Sequence, residues 1–288
     1  MERTAARGAV VITGASTGIG RATALHLDRL GHRVFAGVRQ EADAESLRQR
    51  SSARLSPVFL DVTAAASIQA AVTTVAAEVG ETGLAGVVNN AGIGLGGPLE
   101  FFPIDELRRQ FEINIVGPLA VTQAFLPLVR RGRGRIVLVG SIGGRRASPI
   151  AGPYNASKSA LEALADALRL ELRPENLHVA LIRPGAIATP MFEKVSAYGN
   201  DMVTHLPEEG QHRYQAMIQA VGAALSQLEK HAIPPEKVAC AIAHALTATR
   251  PKTHYLVGLD ARVQALVAWL LPTRLRDALI LRLLRLPT

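Results

Sequence analysis

Short apolar, β-branched runs alternate along this chain with longer stretches of helical periodicity. The apolar runs are Ala9–Thr13, Arg33–Val38, Pro57–Leu60, Gly86–Asn89, Arg135–Gly140, His178–Ile182 and His254–Val257. They are apolar almost throughout rather than at every second position, which is the pattern of strands covered on both faces. Helical periodicity fills most of the gaps, as in Gly18–Leu30, Ala64–Val79, Asp105–Arg130 and Pro153–Arg173. Buried strands separated by helices predict an α/β fold: a Rossmann-type, doubly wound, parallel sheet of seven strands with helices on both faces. The helix from Pro153 carries its own boundaries, with proline near its start and Pro174 beyond its end.

The alternation breaks once, between Gly185 and about Pro235. Three of the four methionines (Met191, Met202 and Met217) fall there, with Phe192, Tyr198 and Tyr214. Such side chains suit an adaptable apolar lid, and equally the ordinary packing of a helical insertion. From Ala261 to Leu286 the chain is amphipathic, with Leu275, Leu279, Leu283 and Leu286 at helical intervals. Arg274, Arg276, Arg282 and Arg285 surround that stripe, and Asp277 is the one acid from Ala261 onward. Packing on the lid or on a partner subunit is the favoured reading of this segment, and peripheral contact with a membrane surface is the other. The expected organisation is one catalytic domain over 1–258, with a lid at about 186–235, followed by a helical extension over 259–288.

Composition narrows the class. Of 288 residues, 48% are hydrophobic and 19% charged, enough apolar material for a sizeable core. Cys240 is the single cysteine, so no intrachain disulfide forms, and a reducing, cytoplasmic setting is expected. The N-terminus carries Arg3 and Arg7 and passes into a strand without a long apolar stretch, so no signal peptide is expected. No run of about 20 apolar residues is evident for a membrane span. The net charge of +8 comes mostly from arginine, 27 of the 32 basic residues. These arginines are scattered and accompanied by only 4% aromatics, which predicts a solvated surface rather than a nucleic-acid interface.

The first strand runs into Thr13-Gly14-Ala15-Ser16-Thr17-Gly18-Ile19-Gly20, where a helix begins. Glycines at 14, 18 and 20 allow a tight turn and a close approach to a pyrophosphate at the helix N-terminus. An acidic residue at the end of the second strand would bond an adenosine ribose, but Val38 and Arg39 stand there. A guanidinium pairs with a 2′-phosphate, so the expected cofactor is NADP(H), with NAD(H) as the second choice. Further on come Asn89-Asn90-Ala91-Gly92, then Asn114, Ser141 and Tyr154-Asn155-Ala156-Ser157-Lys158. Tyr154 and Lys158 are four apart and share a helix face, where a cation can stabilise a phenolate and lower its pKa.

In order and spacing, this set and Pro184-Gly185 resemble the short-chain dehydrogenases/reductases, over roughly Gly8 to Gly258. The resemblance implies Asn114, Ser141, Tyr154 and Lys158 as the catalytic group. Tyr154 would exchange a proton with the substrate oxygen, Ser141 would hydrogen-bond that oxygen, and Asn114 would hold a relay water. Lys158 would bind the nicotinamide ribose and lower the tyrosine pKa. Cofactor contacts are implied at Gly14, Ser16, Thr17, Gly18, Ile19, Gly20, Arg39, Asp61, Val62, Asn90, Ala91, Gly92, Tyr154, Lys158, Pro184, Gly185, Ile187 and Thr189. Asp61 resembles the adenine contact and Thr189 the residue that fixes the carboxamide.

The Ser148-Pro149 stretch, the long lid and the extended tail are most similar to hydroxysteroid and retinol dehydrogenases. They imply a bulky apolar alcohol or carbonyl substrate, met by Ser141, Tyr154, Met191 and Phe192. No metal site is expected. An acyl-carrier-protein ketoreductase and a non-catalytic NADP-binding sensor are the competing readings. The long helices around Asn114 and Tyr154 resemble those of subunit interfaces, so a homodimer or homotetramer is expected.

Overall fold

The computed structural model describes residues 8–287; Arg3, Arg7 and the expected character of the N-terminus lie outside the described residues. Seven parallel strands form one sheet: β1 (Ala9–Ile12), β2 (Arg33–Val38), β3 (Leu55–Phe59), β4 (Leu84–Asn89), β5 (Arg135–Val139), β6 (His178–Pro184) and β7 (His254–Val257). Their order is β3-β2-β1-β4-β5-β6-β7, so the winding reverses between β1 and β4. Ligands of such sheets bind at the carboxyl ends of the strands beside that reversal.

The helices in chain order are α1 (Gly18–Arg29), α2 (Glu41–Arg48), α3 (Ala65–Val79), α4 (Ile104–Phe111), α5 (Gly117–Arg131), α6 (Gly152–Glu171), α7 (Met191–His205), α8 (Glu208–Lys230), α9 (Pro235–Thr247), α10 (Leu259–Leu270) and α11 (Thr273–Leu283). Successive strand residues feed opposite apolar layers. Val11, Ile136 and Leu138 pack with Phe125 and Leu161 on one face of the sheet. Val10, Ile12, Val137 and Val139 pack with Leu27 and Ile242 on the other. That two-sided burial is why the strands are apolar almost throughout, each large side chain contributing about 1.5–3 kcal/mol.

Several boundaries differ from expectation by a residue or two, and three departures have a clear physical reason. β3 starts at Leu55, with Pro57 inside it; β3 is an edge strand, where a missing N–H is tolerated. β6 continues to Pro184, because its last residues pair with β7. The expected single helix over 105–130 is broken by a π turn at Glu112–Val116, with Gly117 N–H donating to Glu112 O five residues back. Pro118 has no N–H to give the Asn114 carbonyl four residues before it, and the turn re-registers around that gap. The run Ile104–Arg131 is also, contrary to expectation, long and apolar enough by composition to cross a membrane. Here α5 packs on β4 and α3 instead, its Phe125 fully buried.

α7 and α8 form the insertion between β6 and α9. Its base is pinned by a parallel bridge between Ile187 and Ile233, with Ala188 N–H donating to Ile233 O at 2.9 Å. Met202 is buried against Leu95 and Phe102 with Tyr198 alongside, while Met217 is half-buried on α8. Tyr214 stands edge-on to Phe101, and its hydroxyl donates to Glu100 at 2.9 Å. The C-terminal extension is two helices hinged at Pro272. α10 packs on β7 and turns Asp260 and Gln264 inward, onto Ala186 N–H at 2.7 Å and Arg146 at 2.8 Å. Its other face carries exposed apolar residues, Leu259, Val263, Leu266, Trp269 and Leu270, with Trp269 at 81%.

Candidate active site

The residues singled out along the sequence converge on the carboxyl edge at the winding reversal. Gly14 has φ +63°, and a Cβ there would sit 2.9 Å from Ala91 Cα. Thr13 Oγ accepts from the N–H groups of Asn90 and Ala91, each at 3.0 Å, locking the β1 and β4 ends together. Asn90 returns two bonds, its amide donating to Thr13 O and Gly14 O at 3.0 Å. Gly18 (φ +54°) lies against Thr189, whose Cγ2 would be 3.0 Å from an added Cβ. Thr17 makes no side-chain cap on α1, so the first N–H groups of that helix have no capping side chain. The cradle fits a pyrophosphate: added side chains at Gly14, Gly18 or Gly20 would meet neighbouring atoms.

Farther along the edge, Ser141 follows the end of β5 by two residues, and its Oγ accepts from Gly143 N–H at 3.0 Å. A Cβ on Gly143 would be 3.3 Å from Ser141 Oγ and 3.5 Å from Tyr154 Cε1, so serine and phenol flank one glycine. Lys158 is buried and donates to Val139 O at 3.1 Å, with its Nζ 5.9 Å from the centre of the Tyr154 ring. A Cβ on Gly92 would be 3.2 Å from Asn114 Oδ1 and 3.5 Å from Lys158 Nζ, placing these three together. Asn114 is fully buried in the π turn. Its amide donates to Ile93 O and Ser157 Oγ and accepts from Ile93 N–H, each at 2.9 Å. Its side chain is therefore already engaged, and the group without its usual helical donor is its main-chain carbonyl.

Burial pushes the Tyr154 phenol above its ordinary value, and the hydrogen bond with Ser141 pulls it partly back. That is the opposite of the lowering expected from Lys158. The lysine is itself desolvated, its pKa falling to about 8, and it contributes no resolved effect on the phenol. Arg39 is exposed at the end of β2, and its charge helps hold the Asp61 carboxyl below its usual value, after the two hydrogen bonds from Thr63. Val62 is buried beside Gly117, and Ile187 is buried at the base of the insertion.

Of the two apolar side chains among the four candidate substrate contacts, Met191 reaches the site: a Cβ on Gly94 would be 3.9 Å from its sulfur and 3.8 Å from the Tyr154 ring. Phe192 lies about 100° further round α7. Thr13, Gly94, Ser157 and Val195 were not singled out by sequence reasoning. Val195 was findable, one helical turn after Met191; a Cβ on Gly94 would be 3.0 Å from its Cγ2.

The sequence matches the short chain dehydrogenase family over residues 8–199. This chain is a short-chain dehydrogenase/reductase. The dehydrogenase is 37% identical to retinol dehydrogenase 5 of Mus musculus, over 96% of this chain and 89% of the relative. It is likewise 37% identical to human (Homo sapiens) 17-beta-hydroxysteroid dehydrogenase type 6, over 95% and 87% of the two chains. Among solved structures, a short chain dehydrogenase from Burkholderia cenocepacia J2315 in complex with NADP superposes with a TM-score of 0.72, at 25% identity and 96% coverage of both chains. The short-chain dehydrogenase described here is thus an oxidoreductase that acts on alcohol or carbonyl groups with a nicotinamide cofactor.

Proposed function

We propose that the enzyme interconverts a carbonyl and an alcohol on a bulky apolar molecule of the retinoid, steroid or lipid class, using NADP(H), with Tyr154 as general acid/base. The observation that carries this reading is the placement of Tyr154 between Ser141 on one side and Met191 on the other. A proton-exchanging hydroxyl pair thereby faces an apolar wall. The names of the retinol and hydroxysteroid relatives support the substrate class. A panel of steroid ketones, retinal and aliphatic ketones, followed by NADPH absorbance, tests it; turnover confined to small polar carbonyls would count against it.

The cofactor, when bound, supplies the hydride. The chain supplies everything else. Gly14, Ser16, Thr17, Gly18, Ile19 and Gly20 would hold the pyrophosphate on the N-terminus of α1. Asp61 and Val62 would flank the adenine, and Asn90, Ala91 and Gly92 would line the middle of the crevice. Pro184, Gly185, Ile187 and Thr189 would meet the carboxamide end. Lys158 would bond the nicotinamide ribose.

Tyr154 would donate its proton to the carbonyl oxygen during reduction, burial acting to hold that proton on the phenol. Ser141 Oγ already accepts from Gly143, so its own hydrogen is available to the same oxygen. The Asn114 main-chain carbonyl, rather than its amide, would hold the water that returns the proton.

Arg39 is the proposed reader of the 2′-phosphate. Replacing it by Asp is expected to weaken NADPH binding by about 10–100-fold, the worth of a charge-assisted bond, while leaving NADH binding no weaker. Equal losses for both cofactors in a fluorescence titration would remove Arg39 from this role.

The exposed face of α10, with Leu275 and Leu283 of α11 beyond it, is proposed to rest on an anionic membrane surface. Arg262, Arg274, Arg276, Arg282 and Arg285 lie in this extension against Asp277, while Asp260 points inward to Ala186. That charge matches anionic headgroups, at about 1 kcal/mol per arginine near the surface. Through Asp260 and Gln264 the same helix touches both the loop after β6 and the loop before Tyr154, so an apolar substrate would arrive beside the site. Trp269→Ala with Leu270→Ser is expected to lower co-sedimentation with phosphatidylglycerol vesicles by about tenfold or more. Unchanged sedimentation, or a concentration-dependent dimer lost in the same variant, would assign the face to another copy of the chain. Ile104, Val116 and Leu170 are exposed apolar residues around α4, the π turn and α6, and they fit subunit contacts there.

A further inference from the structure

One turn beyond Lys158 on α6 stands Glu162, a buried carboxylate that the proton chemistry above does not use. It accepts a two-pronged pair of bonds from Arg183 of β6, at 3.1 Å from Nε and 2.5 Å from Nη2. Arg145 Nε reaches the same carboxylate at 2.6 Å. Arg183 is itself buried, and it immediately precedes Pro184 and Gly185. Arg145 follows the short turn Ile142–Gly144 that begins at Ser141. One carboxylate therefore joins three segments of the site: the helix bearing Tyr154 and Lys158, the turn bearing Ser141, and the strand end that leads to Thr189.

Glu162 is not the counter-ion of Lys158: its ion-pair partners are Arg145 and Arg183, and the lysine donates to Val139 O instead. Nor is stability a sufficient reason for it. A buried ion pair loses most of its Coulombic gain to desolvation, and apolar replacements of similar volume are often neutral or stabilising. What such a pair does provide is a fixed register, because a two-pronged guanidinium–carboxylate bond holds both distance and plane. The Ser141 turn has further ties to α6, from Asn155 Nδ2 to Gly143 O at 2.9 Å and from Ser159 Oγ to Gly144 O at 2.7 Å. The end of β6 is tied toward β7 and α10 by Gly185 N–H to Val257 O at 2.9 Å and Ala186 N–H to Asp260 at 2.7 Å, and the Arg183–Glu162 pair is its charged tie toward α6.

We propose that Glu162 is a positioning residue: through Arg183 it sets the end of β6, and the carboxamide-facing loop after it, relative to Tyr154 and Lys158. The proposal rests on the reading that residues 184–189 meet the nicotinamide end of the cofactor. The test is the double variant Glu162→Leu/Arg183→Leu, which removes both charges together, beside Glu162→Gln, which keeps the volume. NADPH is the probe, with its dissociation constant read by fluorescence and amide exchange followed over residues 185–189.

The double variant is expected to melt no lower than the parent, yet to bind NADPH about tenfold more weakly and to exchange faster in that loop. Glu162→Gln is expected to shift both readouts in the same direction. Parental NADPH affinity and exchange in a folded double variant would overturn the proposal. So would a double variant that fails to fold while Glu162→Gln binds normally, because the pair would then serve the fold alone. Failure of the parent protein to bind NADPH would instead undo the cofactor reading, so the two failures are distinguishable.

Discussion

Replacing Tyr154 by Phe is expected to cut kcat/KM by about 10²–10⁴-fold while leaving the fold and NADPH binding intact. The ring itself is packed, lying close to Gly94 and Gly143, and phenylalanine preserves that packing. What is lost is one hydroxyl, whose resolved partner is Ser141. Removing it deletes the proton donor and leaves Ser141 able to bond the substrate oxygen but not to protonate it. Single-turnover kinetics and a thermal melt check both halves. A variant with more than a tenth of parental turnover would show that Tyr154 does not carry the proton.

Lys158→Met is expected to show the conflict between activity and stability at the same place. Burial holds the lysine pKa at about 8 instead of 10.5, so the folded chain binds this proton less readily than the unfolded chain does. The sign follows from linkage. The cost is fully present below about pH 8 and fades as pH rises toward 10.5. At about 1.36 kcal/mol per pKa unit it amounts to roughly 3 kcal/mol, and leaving the Val139 carbonyl unpaired returns about 1–3 kcal/mol of that. A net gain of about 1 kcal/mol would raise Tm by about 2 °C at pH 7. The advantage should shrink by pH 10, which melts across that range would reveal. Turnover should fall by about 10²–10³-fold, because the charge beside the reacting groups is gone. In the parent enzyme, kcat/KM for reduction should decline above a midpoint near pH 8, where Lys158 loses its proton.

Much of this was legible along the chain because it depends on local spacing. Gly14, Gly18 and Gly20 announce a turn that admits no side chains, and the structure fills the space around each of them with neighbouring atoms. The four-residue step from Tyr154 to Lys158 is a property of any helix. Strands apolar at almost every position predict a sheet covered on both faces, as β1 and β5 are. Pro118, four residues after Asn114, was also a readable signal, since proline cannot supply the bond a regular helix needs there.

Other features depend on atoms that meet across long stretches of sequence, and no local pattern encodes them. The sequence by itself determined the order of strands and helices, the glycine cradle and the shared face of Tyr154 and Lys158, because short-range sterics and helical periodicity decide these. Tertiary structure alone decided that Met191, like the Tyr154 ring, comes up to Gly94 while Met202 packs on Leu95 and Phe102, since a helix packs whichever face its neighbours leave room for. It also decided that burial outweighs the lysine in setting the phenol's pKa, that Glu162 finds Arg183 across 21 residues, and that α10 turns its apolar face to solvent. Desolvation and long-range pairing are properties of the assembled interior, and they arise only once the chain has closed around them.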